Sequence, residues 1–376
     1  MRILQVVPSL IRGGAERLVL NLTKELETKG HEVKIFALHD DNLYTSLNSK
    51  TVVVITPARV SYSLLGQDTS DTELFDKAVR EFNPDVIHSH LIEAEFISRH
   101  QPNSNTVYVS HWHGCPEMLR KAPLKEFLKK DTWWNWNSKR NLIRGYRECG
   151  NHFLCISEFM KGFVVEHLDA NPNDCTIISN AVDTDLFSPN EQTKDDGILH
   201  LIAVGKLNHN KNQQFLVKVV AELKKQNIEA DLTLLGSGAE EPKLKKLANH
   251  LGVASKIFYS GTVDNPEEYL NQADVLVHAS HYEAFGLVLL EAMACAKPVV
   301  CFNDGGPAEV AVNELNGLVV ERGDVTVFAN AVAQLATDKE LYAKLSAQAL
   351  EFSKDYGLKQ YAEKVYSLYE KLVSER

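Results

Sequence analysis

The amino-acid sequence predicts an α/β protein of two domains, each built on a parallel β-sheet. Its 376 residues are enough for two domains of ordinary size. Short apolar runs, typical of strands buried on both faces, alternate with longer segments in which apolar residues recur at helical spacing. The polar stretch 188–197 (SPNEQTKDDG) interrupts this alternation and is typical of a linker. We therefore expect a first domain over 1–187 and a second over 198–357.

The first domain begins with a strand, a glycine turn, a helix and a second strand. Ile3–Val7 is a short apolar run, and Gly13-Gly14 follow it. Apolar residues at helical spacing then extend to Leu26, before the strand Val33–Leu38. This order is typical of a βαβ unit of a parallel sheet. Further strands are predicted at 51–55, 85–88, 106–109, 153–156 and 176–178.

The second domain repeats the alternation of strands and helices. Helices are predicted from about residue 213, over 243–251, and from about residue 286. Strands are predicted at 199–204, 231–235, 256–259, 274–278 and 298–301. A final helix over 358–373 carries three tyrosines, Tyr361, Tyr366 and Tyr369.

Composition and charge argue against several classes of protein. Acidic residues outnumber basic ones by 50 to 40, and the net charge of -10 argues against nucleic acid as a partner. The six cysteines form no C-x-x-C pair, which favours reduced thiols in the cytoplasm. The longest apolar stretch, 284–302, is interrupted by Glu291, Lys297 and Pro298 and cannot span a bilayer. We expect a soluble cytoplasmic protein.

The turn after the first strand is a candidate anion site. In open parallel sheets, ligands bind at the carboxyl ends of the strands. Gly13 and Gly14 precede a helix there, so backbone N–H groups can approach an anion that the helix dipole favours. A glycine turn used only for tight packing would have the same sequence. The pattern is neither G-x-G-x-x-G nor a Walker motif, which argues against nicotinamide and ATP.

A second candidate follows the first strand of the second domain. Lys206 and Lys211 flank a turn over Gly205–Asn212. Two ammonium groups at the mouth of a sheet suit a diphosphate, with each acting as a point charge. The alternative is a pair of solvated lysines that bind no ligand.

Two glutamates mark a third candidate, the segment 283–291 (EAFGLVLLE). Glu283 precedes a helix, and Glu291 lies within its apolar run. The amides of 284–287 at the helix start can bind an oxyanion or a hydroxyl. Burying the Glu291 carboxylate costs free energy unless another group partners it. Sugar hydroxyls would do so, and a neighbouring lysine is the alternative.

Together these motifs resemble those of glycosyltransferase family 4, retaining enzymes of the GT-B architecture. The resemblance covers nearly the whole chain, and the E-x7-E element is its most specific part. It rests on five features in the family's order: Gly13–Glu16 (GGAE), Asn180–Asp183 (NAVD), Gly205-Lys206 with Lys211, Glu283 with Glu291, and Gly305-Gly306. It implies two Rossmann-like domains facing across a cleft, with the helix in 358–376 returning to the first domain.

The resemblance implies that the second domain binds a nucleoside diphosphate sugar as the donor. Glu291 would hold the ribose hydroxyls, and Lys206 and Lys211 would hold the diphosphate. The base would contact two loops, one with Gly236 and one with Val263.

The same resemblance implies residues around the reacting sugar. Glu283 would hold the transferring sugar, together with the amides of Phe285, Gly286 and Leu287. Gly13 and Gly14 would lie against the diphosphate from the first domain, which also binds the acceptor. His113 matches the family's histidine near the reacting sugar.

The implied reaction transfers a hexosyl group to a hydroxyl with retention of configuration. We expect a UDP-sugar rather than a GDP-sugar, and a glycan or lipid-linked acceptor in cell-surface polysaccharide or glycolipid biosynthesis. Lysines and helix N-termini can stabilise a diphosphate leaving group, so we expect no metal and no other cofactor. A nucleotide-sugar 2-epimerase and a non-catalytic sugar-nucleotide-binding protein are the alternatives.

Two positions depart from the family's pattern. Lys206 stands where arginine is usual, so a point charge replaces a bidentate fork. Ala181 stands where glycine is usual, which leaves the backbone contacts of that loop open.

Other residues raise the possibility of a metal site. Asp183-Thr184-Asp185 spells D-x-D, the metal-binding signature of another glycosyltransferase fold. The pairs His88/His90 and His111/His113 would each share one face of a strand. No set of cysteines or carboxylates converges with them, so we expect no metal, and we expect His90 at a strand end.

The segment 117–147 is basic and rich in tryptophan. It has nine Lys or Arg against three acids, and it contains Trp133, Trp134 and Trp136. Basic residues beside tryptophan suit an anionic membrane surface. We expect this segment to hold the protein peripherally at the inner face of the cell membrane, near a lipid-linked acceptor. The alternative is a helical hairpin whose tryptophans fill the domain core.

Overall fold

The computed structural model of the chain describes residues 1–11, 13–41, 51–56, 58–60, 70–119, 130–190 and 196–376. Contacts within the chain divide it into two units. The first contains Met1–Asn180 and Leu358–Arg376, and the second contains Ala181–Gly357. Each unit has its own parallel sheet, as the alternation of strands and helices predicts.

The first unit is built on a seven-stranded sheet. Its strands are β1 (Arg2–Val7), β2 (Glu32–Ala37), β3 (Val52–Val54), β4 (Val86–His90), β5 (Val107–Trp112), β6 (His152–Cys155) and β7 (Cys175–Ile177). They pair in the order β3-β2-β1-β4-β5-β6-β7, and all pairs are parallel. Ile3, Leu4 and Val6 of β1 are completely buried, because helices cover both faces of such a sheet.

Helices connect these strands. They are α1 (Gly14–Thr28), α2 (Glu73–Phe82), α3 (Leu91–Ser98), α4 (Lys130–Cys149) and α5 (Glu158–Leu168). Helix α1 buries Leu18, Val19, Leu22 and Leu26, which recur at the spacing of one helical face. Helix α5 begins after Ser157, whose hydroxyl accepts a hydrogen bond from the amide of Met160.

The second unit has a six-stranded parallel sheet. Its strands are β8 (Leu199–Val204), β9 (Ala230–Leu235), β10 (Ile257–Gly261), β11 (Val275–His278), β12 (Val299–Phe302) and β13 (Gly317–Val320), in the order β10-β9-β8-β11-β12-β13. The order reverses direction at β8, and ligands bind at such a switch point, outside the carboxyl ends of the strands.

The helices of the second unit enclose its core. They are α6 (Gln213–Lys225), α7 (Glu241–His250), α8 (Pro266–Gln272), α9 (Leu287–Ala294), α10 (Pro307–Val310), α11 (Val325–Thr337) and α12 (Lys339–Ser353). Three phenylalanines, Phe215, Phe302 and Phe328, pack edge to face in the core between α6, β12 and α11.

The last helix, α13 (Leu358–Ser374), belongs to the first unit. Tyr366 stacks on His31 after α1, with ring centroids 4.5 Å apart. The fully buried Tyr369 hydroxyl lies 2.5 Å from Nδ1 of His88 on β4. The predicted return of this helix to the first domain is therefore confirmed.

Two features differ from the sequence prediction. The predicted boundary at residue 187 falls inside the second unit, because Val182 and Ser188 bond to that unit. The amide of Val182 donates to the carbonyl of Tyr356, and the side chain of Asn271 donates to the carbonyl of Ser188. Strand β13 was also missed, since it begins with Gly317 and glycine is depleted in strands.

Within the described residues, no helix has both the length and the apolar character needed to cross a bilayer.

Candidate active site

Loops at the carboxyl edge of the second sheet pack backbone against backbone. A Cβ atom at Gly236 would lie 2.2 Å from the carbonyl oxygen of Gly205. A Cβ atom at Gly306 would lie 2.2 Å from the carbonyl oxygen of Ala284. Side chains are therefore excluded at these two positions, and the loops after β8, β9, β11 and β12 are held together at one edge.

The loop after β8 carries the two predicted lysines. Lys206 is exposed, and Lys211 is half-buried. The side chain of Asn208 accepts a hydrogen bond from the amide of Lys211 at 3.0 Å. The side chain of Asn210 donates to the carbonyl of Tyr282 at 2.8 Å, which ties this loop to the one that precedes α9.

Glu283 lies in that neighbouring loop and forms an ion pair with Lys211. Burial alone would raise the pKa of Glu283, but the Lys211 ammonium lowers it, and the net pKa lies below its usual value. His278, at the end of β11, has its Nε2 atom 3.7 Å from the carboxylate. Burial and the Lys211 charge lower the pKa of His278 to about 4. Near neutral pH, an ionised carboxylate thus lies between an ammonium and a neutral imidazole.

Helix α9 begins directly after this carboxylate. Gly286 precedes it with φ 94°, a left-handed conformation that favours glycine. The amide of Gly306 donates to the carbonyl of Glu283 at 3.0 Å, which fixes the entry to the helix. The first amides of a helix lack intrahelical partners, so the amide of Leu287, the first residue of α9, is a donor here, and Phe285 and Gly286 directly precede it.

Glu291 lies one helical turn after Leu287 on the same face of α9 and is half-buried. The structure thus joins Lys211 and Glu283 directly. It holds Lys206 in the same loop as Lys211 and Glu291 on the helix that follows Glu283.

The two loops predicted to contact a base also meet at this edge. The amide of Gly236 donates to the carbonyl of Gly261 at 2.8 Å. The hydroxyls of Ser237 and Thr262 are 3.0 Å apart. Val263, half-buried, is the next residue in the second loop.

In the first unit, Gly13 and Gly14 lie exposed at the N-terminus of α1. The amide of Arg17 donates to the carbonyl of Gly13, which closes the first helical turn. Arg12, which the sequence places in the same turn, lies outside the described residues.

His113 belongs to a cluster of four histidines at the ends of β4 and β5. His90 Nδ1 lies 3.0 Å from His113 Nε2, and His90 Nε2 lies 2.6 Å from Gln5 Oε1. His88 and His111 stack with ring centroids 5.1 Å apart. Burial lowers the pKa of His113 to about 3, and burial lowers those of the other three well below their usual value. All four imidazoles are therefore neutral near pH 7.

His88, His90 and His111 have nitrogen atoms within 4.8 Å of one another, and among the described residues they are the one group close enough to hold a metal ion. Both ring nitrogens of His90 are already in hydrogen bonds. For Asp183, one carboxylate oxygen accepts hydrogen bonds from the amides of Asp185 and Leu186, which caps a turn.

Two residues of these clusters were not predicted from the sequence. Gln5 is fully buried in β1, and a polar residue inside an apolar strand is a signal that could have been used. His278 follows the same pattern, since it ends a buried strand of the second sheet just as His90 ends β4.

The tryptophans of α4 lie on the surface. Trp133, Trp134 and Trp136 are 44%, 43% and 44% exposed. The alternative in which they fill the core is therefore wrong, because Ser138, Leu142 and Tyr146 form the buried face instead.

The basic side chains of α4 are mostly engaged within the protein. Lys139 donates to the carbonyl of Leu119, Arg144 pairs with Glu148, and Arg147 pairs with Asp169. Arg140 lies over the Trp136 ring, 5.7 Å from its centroid. The basic residues Arg120, Lys121, Lys125 and Lys129 lie outside the described residues.

Two models of known sequence families match the chain. "Glycosyltransferase Family 4" matches residues 12–186, and "Glycosyl transferases group 1" matches residues 186–352. A D-inositol 3-phosphate glycosyltransferase of Corynebacterium efficiens is 31% identical, over 95% of this chain and 90% of that protein. The chain belongs to glycosyltransferase family 4.

Other relatives of this family 4 glycosyltransferase differ in the reactions that their names describe. An N-acetyl-alpha-D-glucosaminyl L-malate synthase of Bacillus anthracis is 26% identical, over 90% of this chain and 88% of that protein. The resemblance to family 4 is thus confirmed, whereas the relatives' names do not agree on one acceptor.

Solved structures share the fold of this family 4 glycosyltransferase. Sucrose-phosphate synthase of Thermosynechococcus elongatus matches with a TM-score of 0.80 and 20% identity, over 100% of both chains. Anabaena HepE in complex with UDP matches with a TM-score of 0.78 and 19% identity, over 99% of this chain and 100% of that chain. The predicted GT-B fold class is confirmed.

Proposed function

We propose that this glycosyltransferase moves a hexosyl group from a UDP-sugar to a hydroxyl of a glycan or lipid-linked acceptor, with retention of configuration. The observation that carries the proposal is the ion pair of Lys211 and Glu283 beside the N-terminus of α9, with Lys206 in the same loop as Lys211.

The diphosphate would bind at the lysine loop. Loss of a nucleoside diphosphate leaves negative charge on the phosphate oxygens, and fixed positive groups stabilise it most in the transition state. Lys206 is exposed at the carboxyl edge of the sheet, and Lys211 reaches the same edge from one helical turn further on. The two ammonium groups and the α9 amides supply this field without a divalent ion, so we propose a metal-independent reaction that needs no cofactor.

Glu283 would hold the hydroxyls of the transferring sugar. Its ionised carboxylate accepts hydrogen bonds and is already oriented by Lys211. A carboxylate engaged in this way is a poor nucleophile, which favours a single displacement on one face of the sugar over a covalent glycosyl-enzyme. Glu291, one turn into α9, would hold the ribose hydroxyls.

A uridine base is favoured because HepE, a structural neighbour, has been solved with UDP and with UDP-glucose. In this chain the base would contact the paired loops that contain Gly236 and Val263. The bond from the Gly236 amide to the Gly261 carbonyl holds these two loops together.

The acceptor would bind to the first unit, where His113 and the N-terminus of α1 lie. We further propose that α4 rests on an anionic membrane at the cytoplasmic face and gives access to a lipid-linked acceptor. Tryptophan side chains are enriched at membrane interfaces, and three exposed tryptophans lie on this helix. Arg140 lies over the ring of one of them, Trp136. The acceptor would then belong to polysaccharide or glycolipid biosynthesis at the cell surface.

Two measurements on the full-length protein test the reaction. A thermal-shift series with UDP, GDP and UMP should show UDP as the most stabilising, since a ligand at 100 times its dissociation constant adds about 2.7 kcal/mol to stability. On incubation with UDP-hexoses, the protein should slowly transfer the sugar to water and release UDP. Chromatography of the sugar nucleotides detects this release. Conversion to an epimer with no UDP would instead indicate a 2-epimerase. Stabilisation without turnover of any donor would indicate a non-catalytic binding protein.

A further inference from the structure

A chain of two buried side chains, Gln5 and His90, leads to His113. The Gln5 amide oxygen lies 2.6 Å from His90 Nε2, and His90 Nδ1 lies 3.0 Å from His113 Nε2. Gln5 and His90 are almost completely buried. The Nδ1 atom of His113 is also buried and has no hydrogen-bond partner among the described residues.

The order of donors along this chain follows from its first member. An amide oxygen accepts hydrogen bonds and cannot donate one, so His90 must carry its proton on Nε2. His90 is neutral because burial lowers its pKa well below the usual value, and a neutral imidazole has one donor nitrogen and one acceptor. Its Nδ1 is therefore an acceptor, and Nε2 of His113 must donate to it.

We propose that Gln5 and His90 are positioning residues that fix His113 in the tautomer protonated at Nε2. His113 then has an unprotonated Nδ1 atom that can accept a hydrogen bond but cannot donate one. This atom is covered in the structure, so a substrate hydroxyl that donates to it must displace the groups above it. This inference rests on the proposed function for the identity of that hydroxyl, which belongs to the transferring sugar or to the acceptor.

Two features around the chain support a positioning role. Gln5 is a polar side chain within the apolar strand β1, where a residue such as leucine would pack without any need for partners. Leu91, directly after His90, adopts φ 66°, which is unfavourable for a side chain of its type. The turn directly after His90, the last residue of β4, is therefore strained. Strain of this kind is concentrated at functional sites.

The tautomer can be measured without substrate. In full-length protein labelled with 15N-histidine, two-bond proton–nitrogen spectra distinguish protonated from unprotonated ring nitrogens, and spectra of His113→Gln and His90→Asn protein assign the two rings. We expect both rings to be protonated at Nε2 and bare at Nδ1. His113 protonated at Nδ1 would overturn the proposal, because the Gln5 amide and His90 would then be oriented the other way.

Variants test whether the neighbours set this state. His90→Leu removes the acceptor for His113 Nε2, so His113 should become a mixture of tautomers. His90→Asn places an amide oxygen close to the position of Nδ1 and should restore the Nε2 form. His111→Asn is the matched control, since His111 packs 3.9 Å from the His113 ring but lies outside the chain of bonds. If His90→Leu leaves the tautomer as it is in the wild type, the positioning role is wrong.

Activity provides a second readout that a purely structural role would not give. His90→Leu should lower kcat about tenfold or more with an unchanged dissociation constant for UDP, and His90→Asn should recover most of the loss. Equal loss in both variants would contradict tautomer control. If the protein proves to turn over no sugar nucleotide, the proposed function fails, but the spectra still decide the tautomer.

Discussion

Lys211 and Glu283 form an ion pair although 72 residues separate them in the sequence. The loop after β8 supplies the ammonium, and the loop before α9 supplies the carboxylate. Each side chain is about three-quarters buried, so the pair is partly shielded from solvent. This contact links the proposed diphosphate and sugar positions, because one side chain of the pair serves each.

Replacing Lys211 with methionine should weaken UDP binding by roughly tenfold or more. The change removes a charge-assisted contact with the diphosphate, and it leaves the Glu283 carboxylate without its cation. Burial would then raise the pKa of Glu283. Isothermal titration calorimetry with UDP checks the affinity. Lys211→Arg, which keeps the charge, should retain most of it, and equal affinities for the methionine variant and the wild type would exclude a phosphate role.

Glu291→Ala and Glu283→Ala should differ in the step that they affect. Glu291 is assigned to the ribose, which does not react, so its loss should weaken binding of UDP about tenfold. Glu283 is assigned to the reacting sugar, so its loss should lower kcat with a smaller effect on UDP affinity. Calorimetry and steady-state kinetics on both variants separate the two effects.

Glu340→Ala is a suitable control for these two variants, since Glu340 is exposed on α12, another helix of the second unit. It should behave as the wild type in both assays. Normal UDP binding by Glu291→Ala would refute the ribose assignment.

Activity should survive a chelator. The positive field in the proposed site comes from two lysines and a helix N-terminus, which EDTA does not remove. Rates of UDP release, measured before and after dialysis against EDTA, should agree. Complete loss that manganese restores would instead favour a metal site at Asp183 and Asp185.

The wild-type protein should co-sediment with anionic liposomes at low salt and less at high salt. Changing Trp133, Trp134 and Trp136 to serine should abolish this binding, because these side chains supply the exposed apolar surface of α4. UDP affinity should stay the same. Phe258→Ser is a matched control, since Phe258 is 50% exposed on β10 of the second unit.

Wild-type protein that remains in the supernatant with anionic vesicles would refute the membrane proposal. A second variant measures how much of the binding to anionic vesicles depends on charge. It changes five basic residues to serine: Lys125, Lys129, Lys130, Lys139 and Arg140.

Acid should destabilise the first unit through its buried histidines. Burial holds the folded pKa values of His88, His90 and His111 well below 6.5, whereas unfolded histidines take up protons near that value. The free energy of unfolding is therefore not reduced by these histidines above about pH 6.5. It falls as the pH drops from there towards the folded pKa values, because the unfolded chain takes up protons that the folded chain does not. The free energy of unfolding should therefore be lower at about pH 5 than at about pH 7.5.

Urea unfolding at about pH 7.5 and about pH 5 measures this loss. His111→Phe keeps a buried ring without a titrating group, so the loss should be smaller by about one histidine's share. An identical loss in the variant and the wild type would contradict the assignment of the effect to these rings.

Strands in both sheets could be predicted because their signal is local. Leu199–Val204 is an apolar run interrupted only by His200, and β8 has these same bounds. The E-x7-E segment likewise predicts a helix that begins near residue 286, and α9 begins at Leu287.

Long-range contacts could not be predicted in the same way. Nothing near Gln5 in the sequence indicates that its amide meets His90, because their contact depends on the pairing of β1 with β4. For the α4 tryptophans, the sequence favoured a surface position but left core filling as an alternative, since only packing decides which face of a basic, aromatic helix is covered.

The return of α13 to the first unit has a consequence for biosynthesis. The ribosome adds Tyr369, which covers His88, only after it has made the entire second unit. Translation proceeds at about 5–20 residues per second, so α13 is absent for many seconds after the seven-stranded sheet has been made. During this time α1 and β4 are not covered by it. The second unit is continuous in sequence and can fold during this interval. The domain that is translated first is therefore the one that is completed last, and its nascent form presents an apolar surface that a chaperone would recognise.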